Sequence, residues 1–218
     1  AGEGRARRGG GPGGPHRWRV PHGLKECVEA LHCAHARGDE RLASESMPVS
    51  VTNSQVVYDA LKTTGVKLVS ALPETWLVHL IRMADEDPEM TLVRLAKEEE
   101  GVGISAGAHF AGLRSAMLLQ NHGFLQAING IVGVSLLYKI PLLMLITDRG
   151  TFGEKDPWQT EGGKHTRPVL DALNIARDDL VRPEDVLPKL TKAMTLAQSS
   201  LSPVALLLNR DLMWEEPR

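Results

Sequence analysis

The chain has 218 residues, 24% of them charged and 42% hydrophobic, with a formal net charge of -2. That suits one soluble domain of ordinary size, and the near-neutral balance gives no electrostatic ground for a nucleic-acid or membrane partner. No apolar run approaches the roughly 20 residues of a membrane-spanning helix, and the only cysteines are Cys27 and Cys33, so cytoplasmic residence is expected and no disulfide framework.

Residues 1–46 open with A-G-E-G-R-A-R-R-G-G-G-P-G-G-P. Such a stretch cannot bury enough apolar surface to offset its ordering entropy. It is expected to be a disordered, dispensable extension with at most a short helix over 24–31. Met47-Pro48 reads as a natural translation start, so 47–218 is taken as the folded domain. Cys27, His32, Cys33 and His35 lack a C-x-x-C pair and a second cluster at zinc-site spacing, so no metal is expected there.

From Thr52 onward helical and extended patterns alternate. Thr52 or Asn53 is expected to cap a helix carrying Val56, Val57, Ala60 and Leu61, ended by Gly65. A strand is predicted over 66–72, stopped by Pro73, and then a helix over 74–85 with Trp76 in the core. Next come a strand over 91–95, a helix over 98–112, a strand over 115–119 and a long helix over 123–138. A buried strand over 141–147 and a loop follow. Beyond them lie a helix over 167–173, a weak strand near Leu180, a helix over 183–198 and a strand over 204–208. The strands are apolar without clean alternation. The fold class predicted is three-layer α/β, a mostly parallel sheet with helices on both faces. In such sheets ligands sit beyond the carboxyl ends of the strands. That edge should hold Leu72-Pro73-Glu74, Gln120-Asn121-His122-Gly123 and Asp148-Arg149-Gly150.

The stretch K-E-E-E-G-V-G-I-S-A-G-A-H-F-A-G, residues 97–112, places three consecutive glutamates before a run of small residues. On a helix they point about 100° apart, so at least one should turn toward the small-residue face. A carboxyl there is costly to bury unless protonated or specifically hydrogen-bonded. The string is not a dinucleotide fingerprint, because Gly107 comes one position late for G-x-G-x-x-G, and there is no P-loop.

Three pieces taken together carry a resemblance: E-E-G-V-G-I-S-A-G-A from Glu99, A-M-L-L-Q-N-H-G-F-L-Q-A-I-N-G-I from Ala116, and Y-K-I-P-L-L-M-L-I-T-D-R-G from Tyr138. In order and spacing they resemble the pyrimidine-binding domain of thiamine-diphosphate-dependent decarboxylases. Within that superfamily the likeness is to sulfopyruvate decarboxylase alpha subunits and the matching half of phosphonopyruvate decarboxylases, over roughly 49–209. The resemblance implies that a glutamic acid, here Glu99, hydrogen-bonds N1′ of the cofactor's aminopyrimidine and so promotes attack on a 2-oxo acid. Such an acid should sit in a dry pocket with a raised pKa.

Further roles follow from the same resemblance. Gly123 allows a tight passage beside the cofactor, with Pro73 and Asn121 also lining it. Asn121 and His122 are expected to meet the substrate, His122 as a catalytic proton relay as well. Arg149 and His165 are the chosen cations for the substrate's acidic group, from a set that includes Lys155, Lys164 and Arg167. His109 is expected to pack, and Asn129 to make a structural hydrogen bond.

Thiamine-diphosphate enzymes also need a G-D-G and a later asparagine for magnesium and diphosphate. This chain has no G-D-G. The expectation is therefore a diphosphate-binding beta subunit that holds Mg2+, in a hetero-oligomer of even number with active sites between chains. The expected reaction is sulfopyruvate to sulfoacetaldehyde and carbon dioxide. The alternatives are a phosphonopyruvate decarboxylase subunit, an acetolactate-synthase-like carboligase half, and a non-catalytic assembly module.

Overall fold

A computed structural model describes residues 48–215. The expectations for residues 1–46, including the extension and its cysteines and histidines, lie outside the described residues, as does Met47.

Ser50 starts helix α1 (Val51–Thr63), its Oγ accepting from the Asn53 backbone N–H at 3.2 Å. The cap is thus earlier than the expected Thr52 or Asn53. Asn53 instead donates its side-chain amide to the Leu212 carbonyl at 2.7 Å. Strand β1 (Val66–Ala71) follows Gly65, whose φ of +80° favours glycine. A 3-10 turn (Thr75–Leu77) leads into α2 (Val78–Glu86), then β2 (Thr91–Arg94), α3 (Glu98–Phe110), β3 (Arg114–Gln120) and α4 (Asn121–Gly130). The chain continues through β4 (Leu142–Thr147), α5 (Pro157–Ala172), β5 (Ala176–Leu180), α6 (Pro183–Ser200), β6 (Pro203–Leu208) and α7 (Arg210–Met213).

Two expectations change. The helix predicted over 123–138 is α only to Gly130 and continues as a π segment, Ile131–Leu136. An apolar run does not separate the two windings. The helix predicted over 167–173 begins at Pro157, because Gly162, Gly163 and Pro168 look like breakers in sequence but are accommodated in the fold. Pro157 stands in the first turn, where no N–H is required. Lys164, His165 and Arg167 therefore ride on α5 and not on a loop.

All strand pairs are parallel, in the order β2-β1-β3-β4-β6-β5. The alternation of each central strand feeds two cores. Leu118, Leu143, Leu145 and Leu206 face Leu61, Leu80, Leu190 and Met194 of α1, α2 and α6. Met117, Leu119, Met144, Ile146 and Leu207 face Val102, Phe124, Ala127 and Leu170 of α3, α4 and α5. Each Val, Leu, Ile, Phe or Met side chain among these contributes about 1.5–3 kcal/mol by leaving water. The order reverses direction between β1 and β3, which makes the crevice between their carboxyl ends the place for a ligand. Helix α3 spans from β2 to β3 over β1 and brings the three glutamates to that crevice.

Candidate functional site

The glutamates at the start of α3 separate by role. Glu100 turns back and its Oε2 accepts from the Ala96 N–H at 3.0 Å. Glu98 is the buried one, 8% exposed, and its backbone N–H donates to Gln126 Oε1 at 3.1 Å. Its carboxylate lies on Gly123 of α4, where an added Cβ would stand 2.5 Å from Glu98 Oε1. Glycine at 123 is thus the room for that acid.

Glu99 is half-buried. Its Oε1 accepts from the Asn129 side-chain amide at 2.8 Å, and its Oε2 from Lys97 Nζ at 2.5 Å. Lys97 first, then Asn129, hold the Glu99 carboxyl below the usual carboxylate range. This corrects the expectation of a raised pKa in a dry pocket: in this chain alone the carboxylate keeps two donors and some solvent. One and two turns along α3 from Glu99, a Cβ added at Gly103 or Gly107 would meet nothing within 4 Å. On the adjacent helix Asn129, Val132 and Gly133 are exposed too. The acid therefore stands at the margin of a flat, open strip of two helices.

Asn121, fully buried, ties three elements together. Its Oδ1 accepts from the Arg149 backbone N–H at 2.8 Å and its Nδ2 donates to Thr166 Oγ1 at 2.9 Å. Arg149 is 5% exposed and engaged by three acids. Its Nε and Nη2 donate to Glu154 at 2.7 and 3.1 Å, Nη2 also to Asp156 at 2.7 Å, and Nη1 reaches Glu74 at 3.4 Å. The expected meeting of Asn121 and Arg149 with substrate is thus replaced, in this chain, by a scaffold that holds the β4 loop against the β1 loop. The bidentate edge of the guanidinium is taken by Glu154, and Asp156 and Glu74 share its other side.

Burial pushes the Glu74 carboxyl up to about 7, against the opposing pull of Arg149 and of the Trp76 and Leu77 N–H groups. Burial pushes Glu154 up as well, but Arg149 and the Gly150 and Asp156 N–H groups outweigh it and hold that acid at about 2. The Arg149 guanidinium also lies 5.0 Å over the Trp76 ring, Trp76 stands 6.0 Å from Trp214, and Arg210 sits 4.6 Å over Trp214. Two cations and two tilted indoles form one continuous chain of contacts.

His122 is exposed at the start of α4, its ring resting against Gly162 of α5. Pro73 is exposed at the turn after β1. His165 faces outward on α5, its Nε2 3.2 Å from Glu161 Oε2. Pro73, Glu99, Asn121, His122, Gly123 and Arg149 thus share the carboxyl edge, and His165 is engaged with its own helix. Sequence reasoning put Glu74 at the ligand edge and Glu98 among three candidate buried acids without giving either a role, and it missed Gly162. The available signals were the Pro-Glu start of a helix at the ligand edge and a glycine pair inside a helix.

A family model described as "Thiamine pyrophosphate enzyme, N-terminal TPP binding domain" matches residues 51–174. The chain is 32% identical over 165 residues to sulfopyruvate decarboxylase subunit alpha of Methanococcus maripaludis, covering 76% of this chain and 98% of that protein. It is 27% identical over 158 residues to phosphonopyruvate decarboxylase of Streptomyces viridochromogenes, covering 70% of this chain and 39% of that one. Benzoylformate decarboxylase from Polynucleobacter necessarius superposes with a TM-score of 0.57 at 20% identity, over 76% of this chain and 31% of that one. The last is a likeness of fold, to a protein of which this chain spans about a third.

Proposed function

This chain belongs to the thiamine pyrophosphate enzyme family through its N-terminal TPP-binding domain, and from that premise we propose that it is the alpha subunit of a decarboxylase converting sulfopyruvate to sulfoacetaldehyde and carbon dioxide. The observation that carries the reading is Glu99, a carboxylate fixed by Asn129 at the border of a strip open at Gly103 and Gly107.

The residues fit the pyrimidine end of thiamine diphosphate: a carboxyl group for a ring nitrogen and a strip without side chains for a flat ring. When bound, the cofactor supplies the electron sink that receives the electrons of the departing carboxylate. Glu99 holds a proton toward the ring nitrogen. Covering the strip with a partner removes water from Glu99 and raises its pKa, which converts the ionised group of the free chain into the neutral acid. His122, exposed at the start of α4, meets the 2-oxo acid. Pro73 and Gly123 line the crevice. Asn121 and Arg149 hold the loops that shape it.

Among the described residues no group of three or more His, Cys, Asp or Glu is placed to hold a metal ion. Because the sequence has no G-D-G, we assign Mg2+ and the diphosphate to a beta subunit, in a heteromer of even number. No helix among the described residues is long and apolar enough to cross a membrane, and we read the enzyme as cytoplasmic.

Phosphonopyruvate is the second reading, favoured by the likeness to a phosphonopyruvate decarboxylase. Co-purification with the partner subunit, followed by carbon-dioxide release assays on both acids, tests the two. Release from sulfopyruvate in preference to phosphonopyruvate supports the first reading. The reverse preference supports the second, and release from neither removes both.

A further inference from the structure

Helix α5 carries two adjacent glycines in its interior, Gly162 and Gly163. Glycine is disfavoured there, so each needs a local reason. Gly163 has one in the backbone: a Cβ would stand 2.1 Å from the Arg149 carbonyl oxygen and 2.9 Å from Gly150 C. Gly162 has a different neighbour. The three heavy atoms nearest a Cβ there all belong to the His122 ring, Cε1 at 2.7 Å, Nδ1 at 2.9 Å and Nε2 at 3.0 Å.

The backbone of His122 is clamped on both sides. Asn121 before it is fully buried and bonded to Arg149 and Thr166, and Gly123 after it abuts the Glu98 carboxylate. Only the side-chain torsions of His122 remain to place its ring. Among the described residues none hydrogen-bonds to the ring nitrogens. The absence of a side chain at 162 is therefore what lets the imidazole lie back on α5, with its nitrogens unbonded within this chain.

We propose that Gly162 is a positioning residue for His122, holding the imidazole at the carboxyl edge where it meets the 2-oxo acid. This rests on the decarboxylase reading. An alanine at 162 meets the end of a movable, exposed side chain, so the ring swings away and the helix survives. An alanine at 163 meets backbone, so it disturbs the fold instead.

The test uses the full chain with its partner subunit. Gly162→Ala is expected to leave the thermal midpoint close to wild type and to lower kcat/KM for sulfopyruvate by about tenfold or more, the scale of a misplaced reacting group. In a His122→Ala background the same change is expected to alter kcat/KM less than about twofold, since coupled residues are non-additive. The His122 ring resonances should also move in the Gly162→Ala chain. An equal loss in both backgrounds, or unmoved resonances, overturns the proposal. Full activity of His122→Ala beside an inactive Glu99→Gln sinks this inference and spares the decarboxylase reading. A wild-type complex that releases no carbon dioxide from either acid sinks that reading, and the resonances then decide the placement of the ring alone.

Discussion

The Asn129 amide reaches across from α4 to α3 and donates to Glu99 Oε1 at 2.8 Å. This bond orients one carboxyl oxygen, and Lys97 holds the other. Glu99→Gln keeps the shape but removes the acid. We expect an unchanged circular-dichroism spectrum and a fall in turnover of about 10²–10⁴-fold, the usual worth of a positioned acid or base. Wild-type turnover in the assembled variant would remove Glu99 from the mechanism.

The partner should change the Glu99 titration. In the free chain its pKa is lowered by Lys97 and Asn129, so the stability that it contributes is present above the unfolded carboxylate pKa and lost as pH falls through the folded value. Lys97→Ala removes the largest cause, and the Glu99 carboxyl should titrate at higher pH in carbon-13 spectra. Assembly with the beta subunit should move it in the same upward direction. A pKa that stays low in the complex would argue against a neutral acid.

Glu74 has the opposite sign. Its folded pKa of about 7 exceeds the usual glutamate value of 4.5. Its contribution is full below about 4.5 and is lost as pH rises through 7. Glu74→Gln abolishes this titration while keeping an oxygen for the Trp76 and Leu77 N–H groups. The stability of the variant relative to wild type should therefore improve between pH 5 and pH 8.5, by at most about 3 kcal/mol at 1.36 kcal/mol per unit. Parallel urea melts at the two pH values measure it, and a pH-independent difference would contradict the assignment.

Glu154→Gln leaves Arg149 short of its bidentate partner in a buried setting. Breaking one side of such a pair costs about 3–5 kcal/mol. For a domain of this size that lowers the thermal midpoint by roughly 6–20 °C. Because Glu154 sits at about 2, wild type should lose this advantage only as pH falls from about 4.5 toward 2. A thermal scan of both proteins at neutral and acid pH is the measurement.

Gly123→Ala drives a methyl group onto the Glu98 carboxylate. Overpacking of this kind costs about 1–3 kcal/mol. The combined change Gly123→Ala with Glu98→Ala should recover part of that loss, which denaturant titration of the three variants detects.

The layered sheet was legible because β3, β4 and β6 are apolar on both faces, a pattern that only a doubly covered strand requires. The loops at the carboxyl edge followed from the strand directions. Arg149 was not legible in the same way. A guanidinium after a strand has the same letter whether it meets a ligand or a carboxylate, and Glu74 lies 75 residues away in sequence. The ionisation of Glu99 was hidden for a different reason. Residues two apart do not face each other on a helix, but Lys97 is the extended cap, φ -151° and ψ 153°, and can fold back onto the acid. Helix α5 was underestimated because its glycines answer to contacts that no local propensity contains.

The chain of contacts from Arg149 through Trp76 and Trp214 to Arg210 gives this protein an optical consequence. Indole emission is sensitive to the cations resting on its faces, and Trp76 is almost wholly shielded from water. Any event that lifts the β4 loop from its seat removes a guanidinium from the face of a dry indole. The colour and yield of ultraviolet fluorescence then report on loop docking, without a label and without turnover.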